Sequence, residues 1–347
     1  MSGSRHHFIP KFLQKGFSSR STSTDVYCWC FPKGAKAFQP NIKNVGIESL
    51  FYSISSETEL DDVISKEEEH NFSPLIDKLR ANSVGEDDSI NISAMLAHLE
   101  VRSQHFRSSA NVLFSELMGT LLNTFSSLDF LQDTLTKILS PDSPIFQKAL
   151  LEAGISKDLY RQISKSNPEG LKGLKENMAR GVSKAIYERR NTMPDLIAKA
   201  IKDGHIRLLN QSISPEKRAS RYTNLKYSLQ NYPANDLPLG DSMTLFHVNG
   251  ERKFKPFLDK EDKLISAILP LSPNQYLIGS TSESKTVQYP SLALEVARCS
   301  FAYFISSRND DQAKSYQSEI GENSHWLRPQ DIHQIFADSL EKILCEY

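Results

Sequence analysis

An α+β fold is predicted, with a helical middle, a mainly antiparallel sheet in the C-terminal part and an N-terminal β-hairpin. Three observations predict it. From Glu57 to about Tyr227 apolar residues recur every three or four positions, the spacing that gives a helix one buried face. After about residue 228 the texture changes, and Pro233, Pro238, Gly240, Gly250, Pro256, Pro270 and Pro273 separate short apolar runs of the kind that form strands joined by turns. Near the start, Val26-Tyr27-Cys28-Trp29-Cys30-Phe31 is apolar on both alternating faces, and Pro32-Lys33-Gly34 supplies a turn from which Ala37 to Ile42 returns as a second strand. The same changes divide the chain into 1–227, hairpin plus helical region, and 228–347, sheet with closing helices. One intimately packed domain is the alternative.

The elements follow in order. Arg5-His6-His7-Phe8-Ile9-Pro10-Lys11-Phe12-Leu13-Gln14-Lys15-Gly16-Phe17 sets titratable side chains against an apolar run in which Pro10 fixes the backbone. In the first helix of the middle region Glu69, Phe72, Ile76 and Leu79 fall on one stripe, and in the next Met95, Leu99, Arg102 and Phe106 do. Glu69 and Arg102 are thus charges on faces that should be buried. An unpaired buried charge costs several kcal/mol, so each needs a partner, and the expectation is that they meet each other or a shared polar centre. A structural salt bridge satisfies the same requirement as a functional site. Residues 111 to 140 read as a strongly apolar helix at the centre of the helical part, followed by helices near 145–165, 170–190 and 194–212. The strands are Met243 to Val248, Leu264 to Leu269 and Gln275 to Ile278. Closing helices are read at Ser291 to Ser306 and from about Pro329 to the end.

Composition narrows the class. The 347 residues are 24% charged and 39% hydrophobic with a net charge of -1, and a mean hydropathy of -0.41 is that of an ordinary globular protein. No apolar run approaches a bilayer span and no signal-peptide core is present, so a cytoplasmic protein with no membrane partner is expected. Four cysteines, Cys28, Cys30, Cys299 and Cys345, are too few and scattered for a disulfide framework. Cys28 and Cys30 share a strand face, which suits core packing or half of a metal site. The oligomeric state is not encoded in any pattern here.

Charge is unevenly placed. From Lys172 to Lys226 there are 13 Lys or Arg against 5 Asp or Glu, and Arg180, Lys184, Arg189 and Arg190 are its candidate nucleic-acid contacts. Between Glu57 and Glu69 seven acids accompany only Lys66. Both tracts also fit solvated helix faces. Phosphate-cradling glycine loops, dinucleotide fingerprints, Gly-x-Ser-x-Gly elbows and His-Glu-x-x-His helices do not occur in the sequence, which sets aside the enzyme classes built on them.

The opening pattern of His7, two apolar residues, Pro10 and then Phe17 resembles that of the domain-of-unknown-function family 4238, a group of mostly bacterial proteins. Val26-Tyr27-Cys28-Trp29, Gly46-Ile47-Glu48-Ser49-Leu50-Phe51-Tyr52, the acidic helix with Glu69 and the Leu99 to Arg107 helix follow in the family's order. Asp236-Leu237-Pro238 and Leu269-Pro270-Leu271-Ser272-Pro273 resemble its C-terminal elements. Gln14 stands where the family pattern has leucine. The resemblance selects His7, Glu48, Glu69 and Arg102 as a catalytic set, with His6, Tyr52, His98 and His105 beside them. Histidine as acid or base, carboxylate as its orienter or as a metal ligand, and arginine as a phosphate clamp are the parts of a phosphodiester-cleaving site. The expectation is therefore a nuclease in a phage-defence or toxin-like setting, acting on nucleic acid with or without a divalent metal. A non-catalytic sensor of a phage component or partner protein, needing His7 and Pro10 only as a brace, is the second reading. A metal-dependent hydrolase of small molecules is the third.

Overall fold

The computed structural model of the chain describes residues 5–49, 51, 59–281, 289–325, 334 and 338. Tyr52, Cys345 and, apart from residues 334 and 338, the expected final helix from Pro329 lie outside the described residues. The chain forms two compact units, Met1–Ala110 with Ile201–Trp326, and Asn111–Ala200 with Leu327–Tyr347. The class is α+β as the sequence predicts, with the antiparallel strands concentrated in the C-terminal part and short strand pairs near the N-terminus.

In the first unit the N-terminal segment is the keystone. Arg5–His7 pairs antiparallel with Ile47–Ser49, setting His6 opposite Glu48 and His7 opposite Ile47. Pro10 then opens a short helix, Lys11–Gln14, that runs into a 3-10 turn, Lys15–Phe17. Phe8, Ile9, Phe12, Leu13 and Phe17 enter the main core beside Ile76, Leu79, Leu269 and Leu271. Gly46 makes the approach to this segment close enough: its φ is +64, it accepts a hydrogen bond from the Phe8 amide, and a Cβ there would lie 2.7 Å from that of Ile9. Gln14, standing in an apolar position, is fully buried and donates through Nε2 to the carbonyls of Ile9 (2.8 Å) and Val45 (3.1 Å). Its amide ties the turn to the segment that leads into the Ile47–Ser49 strand, which a leucine would not do. Arg80 completes the brace by donating to Phe12 O, Leu13 O and Leu271 O at 2.8, 3.0 and 2.9 Å, covering carbonyls that a four-residue helix leaves open.

The expected 26–31 strand is divided at Cys28 because its halves have different partners. Val26–Tyr27 pairs with Arg20–Ser21, whereas Trp29–Pro32 pairs with Tyr303–Ser306. The return strand expected at 37–42 amounts to two bridges, Tyr27 with Asn41 and Cys30 with Phe38. Cys28 and Cys30 are buried in the core, and burial pushes both thiols up to about 12, as befits packing residues. The C-terminal sheet has five antiparallel strands in the order Lys226–Asn231, Gln275–Ser280, Leu264–Ser272, Leu245–Val248 and Phe254–Lys255.

The helix expected from Ser291 to Ser306 stops at Cys299, and Tyr303–Ser306 is a strand. The buried carboxylate of Asp241 explains the switch: it accepts from the amides of Phe301, Ala302 and Tyr303 at 2.7, 2.6 and 3.2 Å, which pulls the chain out of helical pairing.

The second unit is helical. Its helices begin on the residues that should cap them: the hydroxyls of Ser127, Ser143 and Ser156 and the side chain of Asn167 each accept an amide three residues on. The expected continuous helix over 111–140 is broken for this reason at Ser127, between Gln104–Ser126 and Leu128–Ile138. Nor is that stretch a buried centre, since Val112, Phe114 and Leu128 are exposed and Leu131 is buried. No helix among the described residues is long and apolar enough to cross a membrane.

Candidate functional site

The first unit's acidic helix begins as an α-helix, Glu59–Glu67, passes through a π turn, Glu68–Phe72, and resumes as Ser73–Arg80. A π turn carries one residue more than an α turn, so the stripe through Phe72, Ile76 and Leu79 continues backward to Glu68 rather than Glu69. This corrects the expectation that Glu69 is the buried charge. Glu69 is exposed, and the carboxylate that forms an ion pair with the Arg102 guanidinium is that of Glu68.

Arg102 ends the Ser89–Arg102 helix with its side chain buried. Besides Glu68, it donates to the His7 carbonyl and, through Nη1, to His98 Nε2 at 3.3 Å. The other ring nitrogen of His98 lies 2.8 Å from the Ile213 carbonyl. A carbonyl only accepts, so the proton sits on Nδ1 and Nε2 keeps its lone pair for Arg102. The neutral ring this requires is what burial enforces, holding the His98 pKa down to about 4.

A second arrangement of the same kind stands one step along. Arg107 donates to the Glu48 carboxylate (3.2 Å), the Phe51 carbonyl (2.6 Å) and His205 Nδ1 (3.1 Å), with its guanidinium carbon 3.8 Å from the Phe51 ring centre. His205 in turn donates from Nε2 to the Val101 carbonyl at 2.6 Å, and burial lowers its pKa to about 4. Glu48 also accepts from Gln104. In both arrangements a neutral histidine passes a hydrogen bond from an arginine to a main-chain carbonyl.

The Arg102 arrangement opens to a cavity. A cleft of about 360 Å³ is lined by His6, His7, Lys11, Lys15, Ser65, Glu68, Glu69, Ser73 and Arg102, with Phe12 and Ile64 as its apolar walls. The structure therefore brings together three of the four expected catalytic residues, His7, Glu69 and Arg102. Glu48 is not in that lining. Its strand places it opposite His6, and its carboxylate is directed into the Arg107 arrangement. His98 stands behind Arg102, and His105 is elsewhere, its Nε2 2.7 Å from the Ser324 carbonyl.

Sequence reasoning missed Lys11, Lys15 and Glu68. The two lysines stand four apart just after Pro10, a spacing that puts both on one side of a turn and that was available to find them. They bring the cleft's charged groups to three cations, Lys11, Lys15 and Arg102, against Glu68 and Glu69. Among the described residues no group of three or more His, Cys, Asp or Glu side chains is placed to hold a metal ion.

The basic tract is divided between the units, with seven of its 13 Lys and Arg in the second and six in the first, and the four candidate contacts are all in the second. Arg180, Lys184 and Arg189 lie on the Pro168–Arg189 helix, Arg190 caps its end, and all four are exposed. Arg180 and Lys184 share a face, but at roughly 100° per residue Arg189 falls on the opposite side, so the four do not form one stripe. Arg180 and Lys184 have loose intrahelical partners in Glu176 and Glu188, at 3.9 Å each.

The buried histidines set a pH dependence. Burial is the main cause of the depressed values of His98, His205 and His105, to about 4, 4 and 3. An unfolded histidine titrates near 6.5, so below that pH the unfolded chain takes up protons that the folded one cannot. Their stabilising contribution is complete above about pH 6.5 and is lost as pH falls toward 4. Asp241 works the other way: burial raises it to about 6, so the folded state gains a proton early and is favoured as pH falls from there toward 3.8. Burial also raises Glu100, which acts with Asp241, and lowers His247 and His325, which act with the other three; with five histidines against two carboxyls, thermal melts should be flat from pH 8 to 7 and fall from pH 6.5 downward. A melting temperature that rises on acidification to pH 5 would contradict neutral, buried rings.

The family described as "Protein of unknown function (DUF4238)" matches the chain over residues 5–199. No curated protein and no solved structure matches it.

Proposed function

Since the chain belongs to the family of proteins of unknown function DUF4238, we propose its activity from the cleft itself: cleavage of phosphodiester bonds in nucleic acid, as a defence or toxin-like effector. The observation that carries this reading is the convergence of His7 with Lys11 and Lys15 in one cleft of about 360 Å³, large enough for a phosphate group and its sugar. Imidazole exchanges a proton near neutral pH. His7 takes the proton of the attacking hydroxyl or water as the new P–O bond forms, and returns it to the departing oxygen as the old bond breaks. Lys11 and Lys15 offset the charge on the phosphoryl oxygens. Arg102, already engaged by Glu68, His98 and the His7 carbonyl, positions His7.

The test is incubation of the full chain with end-labelled single-stranded RNA and DNA across a salt series. Cleavage is expected, with log binding constant falling against log salt at a slope of about -1.4, the value for two lysine–phosphate contacts on a single strand. The absence of both binding and cleavage with every nucleic acid would overturn the proposal. The occupied Arg102 favours one other reading, a non-catalytic module that captures an anionic group with Lys11 and Lys15. Binding without cleavage would select it.

A further inference from the structure

The Leu269-Pro270-Leu271-Ser272-Pro273 and Asp236-Leu237-Pro238 motifs contribute nothing to the His7 cleft, yet they converge. The Leu237 amide donates to the Pro273 carbonyl at 3.0 Å, and the Tyr232 amide to the Asn274 carbonyl at 2.7 Å. The turn thus braced forms one side of a second cavity, of about 350 Å³, lined by Gly16, Arg80, Asn82, Asn231, Ser272, Asn274 and Gln275.

This cavity shares a wall with the first. Lys15 lines one and Gly16 the other, and Arg80, in the second, donates to the carbonyl of Phe12, in the first. At Gly16 a Cβ would sit 2.1 Å from Leu271 O and 2.2 Å from Arg80 Nη2, so the close approach of these groups to the chain requires glycine.

Its chemistry differs from that of the cleft. Among the described residues of this lining Arg80 alone is charged, and three of its five N–H groups are turned onto carbonyls, so side-chain amides supply most of the polar groups that meet a ligand. These amides are oriented. Buried Gln275 donates from Nε2 to Asn82 Oδ1 at 2.7 Å, and Ser272 Oγ donates to Asn274 Oδ1 at 2.7 Å. With those oxygens occupied, Asn82 and Asn274 present amino groups, and Gln275 keeps its carbonyl oxygen as an acceptor. Asn82 holds this position at a φ of 58, in the left-handed region that asparagine tolerates. Fixed amide donors beside an amide acceptor match the paired edge of an unstacked base, which side-chain amides read in two-point fashion.

We propose that the amide-lined cavity receives an unpaired base of a single-stranded nucleic acid whose phosphate occupies the neighbouring His7 cleft, making the protein base-selective. This rests on the phosphodiester reading. The experiment is fluorescence anisotropy of the full chain with short labelled oligo(A), oligo(C), oligo(G) and oligo(U), repeated with Asn274→Ala and Asn231→Ala, both at exposed positions, and with a thermal melt of each variant. One homopolymer should bind at least about 10-fold more tightly than the others, the discrimination of a two-point base contact. The variants should lose most of that preference while keeping the melt and the salt slope set by Lys11 and Lys15. Equal binding of all four, or a preference that survives both substitutions, would overturn the base cavity and leave phosphodiester cleavage standing. If no oligonucleotide binds at all, the phosphodiester reading itself is overturned, and the base cavity with it.

Discussion

Replacing His7 by alanine should lower nucleic-acid cleavage by about 100- to 10,000-fold, the range lost with a general acid–base group, while the melting curve stays where it was. The main chain at this position carries structural tasks of its own. Its peptide pairs with Ile47, and its carbonyl receives Arg102. Alanine keeps both, and the ring it removes lines the cleft. His98 is the contrasting case, because its fully buried ring is hydrogen-bonded on both nitrogens, and His98→Ala should lower the melt. Both variants need two measurements on one preparation: a thermal melt, and cleavage or phage protection. Unchanged activity with an unchanged melt would remove His7 from the site. A lowered melt, with normal activity in the protein that remains folded, would make His7 a brace.

Local chemistry of this chain was legible in its sequence, and partner choice was not. The switch from helical spacing to proline-separated runs near residue 228 predicted the antiparallel sheet, whereas apolar spacing alone read single helices over 111–140 and 145–165, through the caps Ser127 and Ser156 that divide them. Yet Tyr303–Ser306 is helical by pattern. It becomes a strand through Asp241, 60 or so residues away, and through pairing with Trp29–Pro32, far earlier in the chain. The site divides in the same way. His7 and Arg102 stand out as titratable groups among apolar neighbours. The destination of Glu48 depends on Arg107, which no local pattern ties to it. Gln14, a departure from the family's leucine, proves to be a buried two-carbonyl clasp, a role invisible without the fold that brings Ile9 and Val45 to it.

The acidic helix held a signal that one count along it conceals. Counting forward by four from the buried Leu60 and Ile64 arrives at Glu68 and then at Phe72, whereas counting back by three from Phe72 arrives at Glu69, and α spacing allows either. The π turn over Glu68–Phe72, with its extra residue, selects Glu68. Adjacent glutamates should therefore respond very differently. Arg102→Ala would leave the Glu68 carboxylate, 15% exposed, without its ion-pair partner, and the His98 nitrogen and His7 carbonyl without that donor. Removing one member of a buried pair costs about 3–5 kcal/mol, and the partial exposure of Glu68 puts the expected loss near the lower figure. Glu68→Gln should weaken the same contact, while Glu69→Gln, exposed in the cleft, should stay within about 0.5 kcal/mol of the parent. Urea unfolding of the three variants measures all of this. Equal destabilisation by Glu68→Gln and Glu69→Gln would mean an unbroken α-helix with Glu69 on the buried stripe. A loss confined to Glu68 and Arg102 would fix the π turn as the device that turns one carboxylate inward to hold Arg102, and through it the His7 main chain, while leaving the next carboxylate at the cleft.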